Sequence, residues 1–271
     1  MSSDTDDLDR LFDAPSWWRA QAARALGLSG EPLLSGASPG VSCPAVLHSV
    51  LAGLRRKEPF GADAEHPYDD KAPALDVLVD VGAGVGGISE WFRRHSGGTV
   101  IAVDPAEGSR EAARLLFPSL IVRDGSAEVT GLPAGMADAA LLIGVISLID
   151  DLVGAMREAE RIVRADGAVA IVDLFSATGR SLRSGPNVFH TLQHVVTMLS
   201  MRGWTTVEVG VGATASDPTW AAGGALVDEW IRARRSDHPA FPRWAADQTH
   251  LRRHIDHGDL VTGWVVARHG R

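Results

Sequence analysis

Residues 75–87 read LDVLVDVGAGVGG, and this stretch decides the fold. Val77 to Val81 is a run of buried-strand residues with an acid, Asp80, near its end. A turn with glycine at 82, 84, 86 and 87 follows and leads into a helix. Glycine lets backbone approach a ligand where any Cβ would collide. A second apolar strand, Thr99 to Val103, also ends on an acid, Asp104, which lies 22 residues beyond Gly82. That is close to the roughly 20-residue offset at which a second-strand carboxylate reaches a ribose hydroxyl pair. The outline is that of a nucleoside-binding βαβ unit for an adenosine-containing cofactor.

Outward from this unit the pattern is regular. Strands are expected at about 76–81, 99–103, 119–122, 139–143 and 168–174, and helices at about 85–95, 107–116, 151–164 and 187–202. Alternation at this interval means a parallel sheet covered on both faces, an α/β class fold. Upstream, residues 1–57 read as helices with loops: Leu8, Leu11 and Phe12 share a helical spacing, as do Trp18, Ala22, Ala25 and Leu26. Gly36 to Pro44 reads as a loop and Ala45 to Leu54 as a further helix. Residues 58–73, polar with three prolines, read as a linker. Downstream the alternation breaks. Thr205–Val209 and Leu260–Ala267 are strand-like, with a helix expected at 219–235 between them, and the two strands read as an antiparallel addition at the sheet edge.

Composition narrows the function. The 271 residues are 45% hydrophobic, enough for a full core. A net charge of −8 and a pI near 5.6 argue against phosphate-backbone binding, which needs a basic face. The short basic clusters, Arg55-Arg56-Lys57, Arg232 to Arg235 and Arg252-Arg253, read as solvated helix ends. A single cysteine, Cys43, leaves no intramolecular disulfide or cysteine-built metal site, so no metal is expected. There is no apolar run of membrane-spanning length, and the acidic start MSSDTDDLD is the reverse of a targeting peptide, so a cytoplasmic protein is expected. Oligomeric state stays open, a homodimer included.

Glycines at 82, 84 and 87 also satisfy the dinucleotide pattern, so spacing alone does not choose the cofactor. Asp80 does: a carboxylate two residues before the first glycine suits a ligand amine and sits awkwardly beside a pyrophosphate. Four motifs extend the pattern, VLVDVGAGVGG, VIAVDPAEGSREAARLLF, DGSAEVTGLPAGMADAALLIGVISLIDD and EAERIVRADGAVAIVDLF. In this order and spacing the chain resembles the class I S-adenosylmethionine-dependent methyltransferases, in the small-molecule branch that includes ubiquinone- and menaquinone-type enzymes. The resemblance covers roughly 74–211 and the final strand.

The resemblance implies a Rossmann-like seven-stranded sheet with an antiparallel C-terminal strand and S-adenosyl-L-methionine as cofactor. It also implies a small-molecule acceptor, walled by an N-terminal helical lid (1–57) and by an insertion at about 212–258 in a core spanning 74–271. Asp80 and the turn Gly82, Ala83, Gly84 and Gly86 would hold the methionine portion. Asp104, with Pro105 after it, would accept the ribose hydroxyls. Asp124, Gly125, Ser126 and Ala127 would bracket adenine. The family's usual acid at position 126 is a serine here, so either Ser126 or Asp124 would meet the exocyclic amine. Gly144 and Val145 would run beneath the methionine amine and sulfonium.

Methyl transfer is an in-line displacement, which placement of the nucleophile largely accelerates. An oxygen or ammonium nucleophile also needs a proton removed, for which histidine suits. Ile146-Ser147-Leu148 stand where many relatives carry histidine or an aromatic, so no catalytic residue carries over there. His190 and His194 are the candidate catalytic pair, at i and i+4 on the expected helix after the fifth strand, flanking a stripe of Phe189, Leu192, Val196 and Leu199. His48, His254, His257 and Asp173 are secondary candidates. Alternatives are a nucleic-acid methyltransferase, disfavoured by charge and by the missing Asp/Asn-Pro-Pro-aromatic motif, and a cofactor-binding or cyclase-like member without methyl transfer. A dehydrogenase is disfavoured by Asp80 and by a lone tyrosine, Tyr68, in the linker.

Overall fold

The structure, a computed structural model, describes residues 3–38, 43–56, 75–212 and 218–269, with side chains from residue 13 onward except at residue 219. The expected linker at 58–73 lies outside the described residues. Three helices come first, α1 (Ser3–Ala25), α2 (Gly30–Gly36) and α3 (Pro44–Leu54). The alternating region follows as β1 (Val77–Val81), α4 (Gly87–Ser96), β2 (Thr99–Asp104), α5 (Glu107–Leu116), β3 (Ile121–Asp124) and β4 (Ala137–Ile143). A 3-10 turn (Ile146–Leu148) leads to α6 (Leu152–Ile162) and β5 (Val163–Ser176). The chain ends with β6 (Leu182–Ser184), β7 (Asn187–Phe189), α7 (Leu192–Met201), β8 (Trp204–Gly212), α8 (Pro218–Arg235), α9 (Phe241–Asp256) and β9 (Leu260–His269).

Seven strands form one sheet in the order β3-β2-β1-β4-β5-β9-β8. β1 to β5 are parallel neighbours, while β9 is antiparallel to β5 and to β8. β9 inserts between β5 and β8, so β8 runs the same way as the parallel strands. Of the two terminal strands expected to be antiparallel, only β9 is reversed relative to the sheet.

Alternate residues of each strand feed opposite layers, as period-2 geometry requires. On one face Leu78, Val100, Leu141 and Ala170 pack under α3, α4 and α5, through Leu47, Val50, Phe92 and Ala112. On the other, Val79, Ile101, Ala140 and Val169 pack under α6 and α7, through Met156, Ala159, Val195 and Leu199. β4 is buried along its whole length, which is why ADAALLI carries almost no polar residue. α1, α8 and α9 make a third cluster, Trp18, Ala22, Val227, Ile231 and Trp244, away from the sheet.

Four expectations need correction. β5 begins at Val163, five residues before the expected 168, and takes up the end of the helix expected at 151–164. β3 begins two residues later than expected. The helix expected at 187–202 begins only at Leu192, because Leu182–Phe189 folds as a hairpin. Its two-residue turn is Gly185-Pro186, and Gly185 has φ +58°, the positive first position such hairpin turns favour. Finally, the 212–258 region holds a second helix, α9, beyond the one expected at 219–235.

Candidate functional site

A cavity of about 1360 Å³ opens beyond the carboxyl ends of the parallel strands. That is where open α/β sheets place ligands, at the point where strand order reverses; here the reversal lies between β1 and β4.

One end of the cavity is built by strand termini. Gly82 and Ala83 both donate their amides to Val103 O, at 2.8 and 3.0 Å, which ties the turn after β1 to β2. Gly82 has φ +74°, and a Cβ built on it would lie 2.4 Å from Val145 Cγ2, so only glycine lets the turns after β1 and β4 approach. Gly84 points the other way: a Cβ there would meet nothing within 4 Å, because its face is open to the cavity. Its amide donates to Asp104 Oδ2 at 2.7 Å, and Asp104 Oδ1 accepts the Ala106 amide at 3.0 Å. These two amides fix the buried carboxylate at the cavity wall. Gly144 donates to Val172 O at 2.7 Å, which sets the course of Val145 past Gly82.

Gly82, Ala83, Gly84, Asp104 and Pro105 all line the cavity, as do Ser126, Ala127, Gly144 and Val145. Four of the residues expected to bind the cofactor are not on its wall. Gly86 is the left-handed N-cap of α4 and packs beneath Leu120 and Ala113, a helix-start role. Asp124 is exposed and ion-paired with Arg110 at 2.8 Å, and Gly125 beside it is also off the wall. Ser126 therefore stands at the cavity where Asp124 does not. Asp80 lies behind the glycine turn, 1% exposed, accepting a hydrogen bond from Ser89 Oγ at 2.5 Å. Burial, reinforced by the nearby Asp104 charge, pushes its carboxyl up to about 7, against the opposing pull of the Ser89 bond.

The histidine pair requires correction. His190 lies on the stretch between β7 and α7, and Thr191 is the N-cap of α7, its hydroxyl accepting the His194 amide at 3.1 Å. The two rings do stack, with centroids 5.2 Å apart, but by loop-to-helix contact and not as one helical face. His194 is exposed, and neither ring lines the cavity. Burial, then His194, lowers the pKa of His190. His48 packs on Trp91 and His95, and His254 faces Asp259 at 2.9 Å; these and His257 are also off the wall. Cys43 is buried and off the wall too. Among the described residues no group of three or more histidine, cysteine or acidic side chains is placed to hold a metal.

The other end of the cavity is built by α1, α8, α9 and the β6–β7 hairpin. Arg19 of α1 bonds Gly36 O at 3.2 Å and pairs with Asp228 of α8 at 2.8 Å. Asp13 accepts the Gly108 amide of α5 at 2.7 Å, and the Ser16 and Ser109 hydroxyls meet at 2.8 Å, so α1 is docked beside the turn that carries Asp104. Trp220, Trp244, Phe189 and Leu251 give this end aromatic and aliphatic walls, and Arg243, Asp247 and His250 line it from α9. Burial raises the pKa of Asp247. Asp173, Ser147 and Asn187 sit on the wall as well. Sequence reasoning missed Arg19, Asp228, Ser147, Asn187 and Asp247; the signal that could have found Asn187 was the hairpin turn Ser184-Gly185-Pro186-Asn187.

S-adenosylmethionine fits the strand-terminus end on three observations: an open glycine surface, a wall carboxylate at the end of β2, and the wall residues Ser126 and Ala127 of the loop after β3. Comparison with known proteins agrees. Residues 79–171 match the family described as "Methyltransferase domain". No curated protein matches the chain. Among solved structures, the chain is similar to the [4+2]-cyclase SpnF, with 16% identity, TM-score 0.58, and 83% of this chain and 92% of that one covered. It is similar to geranyl diphosphate C-methyltransferase from Streptomyces coelicolor A3(2), with 15% identity, TM-score 0.56, and 83% and 76% covered. It is also similar to phosphoethanolamine N-methyltransferase 2 from Haemonchus contortus, with 13% identity, TM-score 0.58, and 86% and 54% covered. Over residues 79–171 the chain therefore matches a methyltransferase domain, and its fold is that of these solved structures.

Proposed function

We propose that the protein moves the methyl group of S-adenosylmethionine to the oxygen, nitrogen or carbon of a small molecule held between the strand ends and the α1, α8 and α9 walls. One observation carries this reading: a single cavity of about 1360 Å³ runs from the glycine turn to Trp220 and Trp244. Pockets for one small ligand are about 300–1,000 Å³, so this space suits a cofactor and a second molecule together.

In this reading the bound cofactor supplies an activated methyl group on sulfur, and the chain's task is placement. Asp104 accepts the ribose hydroxyls, Ser126 and Ala127 flank adenine, and the Gly82–Gly84 turn cradles the methionine portion. Asp80 supports that turn from behind, through Ser89. Gly144 and Val145 border the reacting centre. Residues 1–57 act as a lid segment and 212–258 as a substrate-side insertion on the 74–271 core. The similar structures include methyltransferases of a prenyl diphosphate and of phosphoethanolamine, which favours a small acceptor here too. The narrower resemblance to ubiquinone- and menaquinone-type enzymes makes quinone-like and specialised-metabolite compounds the first acceptors to screen. The acidic net charge weighs against nucleic acid.

Calorimetric titration with S-adenosylmethionine, S-adenosylhomocysteine and NAD tests the reading. Both adenosyl ligands should bind and NAD should not. Asp104→Ala should weaken adenosyl binding by about ten- to a hundredfold, the worth of hydrogen bonds to a charged group. Binding of NAD, or of none of the three, overturns the proposal.

A further inference from the structure

Resting on that reading, the wall around Asp173 identifies the reacting group of the acceptor. Asp173 is one residue beyond Val172, whose carbonyl accepts the Gly144 amide, so it stands next to the turn that borders the methionine end. It is 1% exposed yet reaches the cavity wall. Oδ2 accepts the Ser147 amide at 3.1 Å and Oδ1 the Leu174 amide at 2.7 Å. The Ser147 hydroxyl lies 3.4 Å from Asp173 Oδ1 and 3.3 Å from Asn187 Oδ1, and both Ser147 and Asn187 are wall residues.

Three polar side chains from separate elements therefore converge on the cavity between the glycine turn and the apolar wall of Leu174 and Phe189. A carboxylate has about four acceptor positions, and the Ser147, Leu174 and Ile146 amides take three of them. With the Ser147 hydroxyl turned to Asn187 Oδ1, the nearer of its two acceptors, one position is left for a further donor. A wholly apolar acceptor would leave these groups buried and facing hydrocarbon, which is costly. The elements packed around Asp173 bring Ser147 from the 3-10 turn, Asn187 from β7, Gly263 from β9 and Gly144 after β4, none of them ionisable.

We propose that Asp173, positioned by Ser147, whose hydroxyl also reaches Asn187, binds the reacting O–H or N–H of the methyl acceptor and takes its proton. The acceptor class is then hydroxyl- or amine-bearing compounds. As the acceptor's lone pair forms the new bond to the methyl carbon, the carbon–sulfur bond breaks with its electrons going to sulfur. The acceptor's proton passes to an Asp173 oxygen. Burial pushes this carboxyl up to about 6, against the pull of its hydrogen bonds, which makes it a better proton acceptor near neutrality than an ordinary carboxylate.

The test is binding to protein saturated with S-adenosylhomocysteine, using 2-naphthol and 2-methoxynaphthalene, which differ by the single donor. Wild type should bind the naphthol at least tenfold more tightly, with the preference weakening below about pH 6 as Asp173 takes a proton. Asp173→Asn, which turns donors toward the ligand, should reduce the preference below threefold. Retained S-adenosylhomocysteine binding checks that this variant is folded. Ser147→Ala is the milder second variant and should reduce the preference about threefold. If wild type does not bind S-adenosylhomocysteine, the methyl-transfer reading itself falls. If it does, but the two naphthalenes bind equally, or neither binds, or the substitutions leave the preference intact, only the assignment of Asp173 is overturned.

Discussion

The two ends of the cavity are held together by different means. At the strand-terminus end, geometry is set by backbone: the Gly82 and Ala83 amides reach Val103 O, the Gly144 amide reaches Val172 O, and Asp104 is fixed by two amides. At the helical end, walls from opposite termini of the chain meet through side chains, Arg19 with Asp228, Arg235 with Gln21, and Trp18 against Trp244. The first arrangement leaves little to vary, since a register shift would undo every contact together. The second can be repacked residue by residue without disturbing the sheet. A scaffold that keeps its cofactor while changing its acceptor needs this division, and it predicts unequal responses to change at the two ends.

The largest effect is expected with pH. Asp80 rises from an ordinary value of 3.8 to about 7 on folding. A carboxyl with a raised folded pKa binds its proton more tightly in the folded state, so its favourable contribution is complete below about pH 4 and is lost as pH rises through about 7. Between pH 5 and pH 8 that loss is about 3 kcal/mol, at 1.36 kcal/mol per unit. Urea unfolding at the two pH values measures it. Asp80→Asn should flatten the slope, leaving the smaller parts due to Asp173, whose value of about 6 acts over a narrower window, to the raised Asp247 and, with opposite sign, to the lowered His190. An unchanged slope in the variant removes Asp80 as the source.

Next is the glycine turn. Gly82→Ala places a side chain at φ +74° and against Val145 Cγ2. The expected cost is about 2–3 kcal/mol of stability, together with at least a tenfold loss of S-adenosylhomocysteine affinity. Adding Val145→Ala relieves the collision but not the backbone strain, so it should restore only part of the stability. Full restoration would show that crowding alone, and not the left-handed backbone, demands glycine here.

The same contrast explains what the sequence revealed. VLVDVGAGVGG and the strand ending at Asp104 encode their geometry within a few residues, because strand period, turn glycine and terminal acid are local signals. The parallel strands and the wall positions Gly82, Gly84, Asp104 and Gly144 could be read for that reason. Asp80 lies on the expected strand but off the cavity wall, where it faces Ser89. The helical end was not legible: nothing near Arg19 points to Asp228, 209 residues away. The second hairpin strand, Asn187–Phe189, reads as the start of the following helix because Phe189, Leu192, Val196 and Leu199 fit a helical stripe by spacing. Gly185-Pro186 was the local signal against it.

At the helical end, effects should be smaller and should leave the cofactor alone. A double-mutant cycle with Arg19→Met and Asp228→Leu measures the pair that joins α1 to α8. Arg19 is buried, but Asp228 keeps 24% of its side chain exposed, so solvent screening reduces the coupling to about 1–2 kcal/mol. S-adenosylhomocysteine affinity should stay within threefold of wild type. A tenfold loss would mean that the helical walls help set the cofactor site, and the division between the two ends would fail.

The smallest effect is expected at His194, which is exposed and off the cavity wall. His194→Ala should change stability by less than about 0.5 kcal/mol, in the range of ordinary surface substitutions, and S-adenosylhomocysteine affinity by less than twofold. Its neighbour sharpens the reading. His190 anchors the end of β5 through its backbone carbonyl, which accepts the Ser176 amide at 2.9 Å, while its ring stacks on His194. Burial is the larger cause of its lowered pKa and the His194 charge the smaller. An NMR titration of His190 in the variant should therefore move only part of the way back toward the free value. If the variant instead lost tenfold or more of its turnover with an identified acceptor, the stacked pair would be working from outside the cavity, and proton removal would have to be assigned there and not to the strand end.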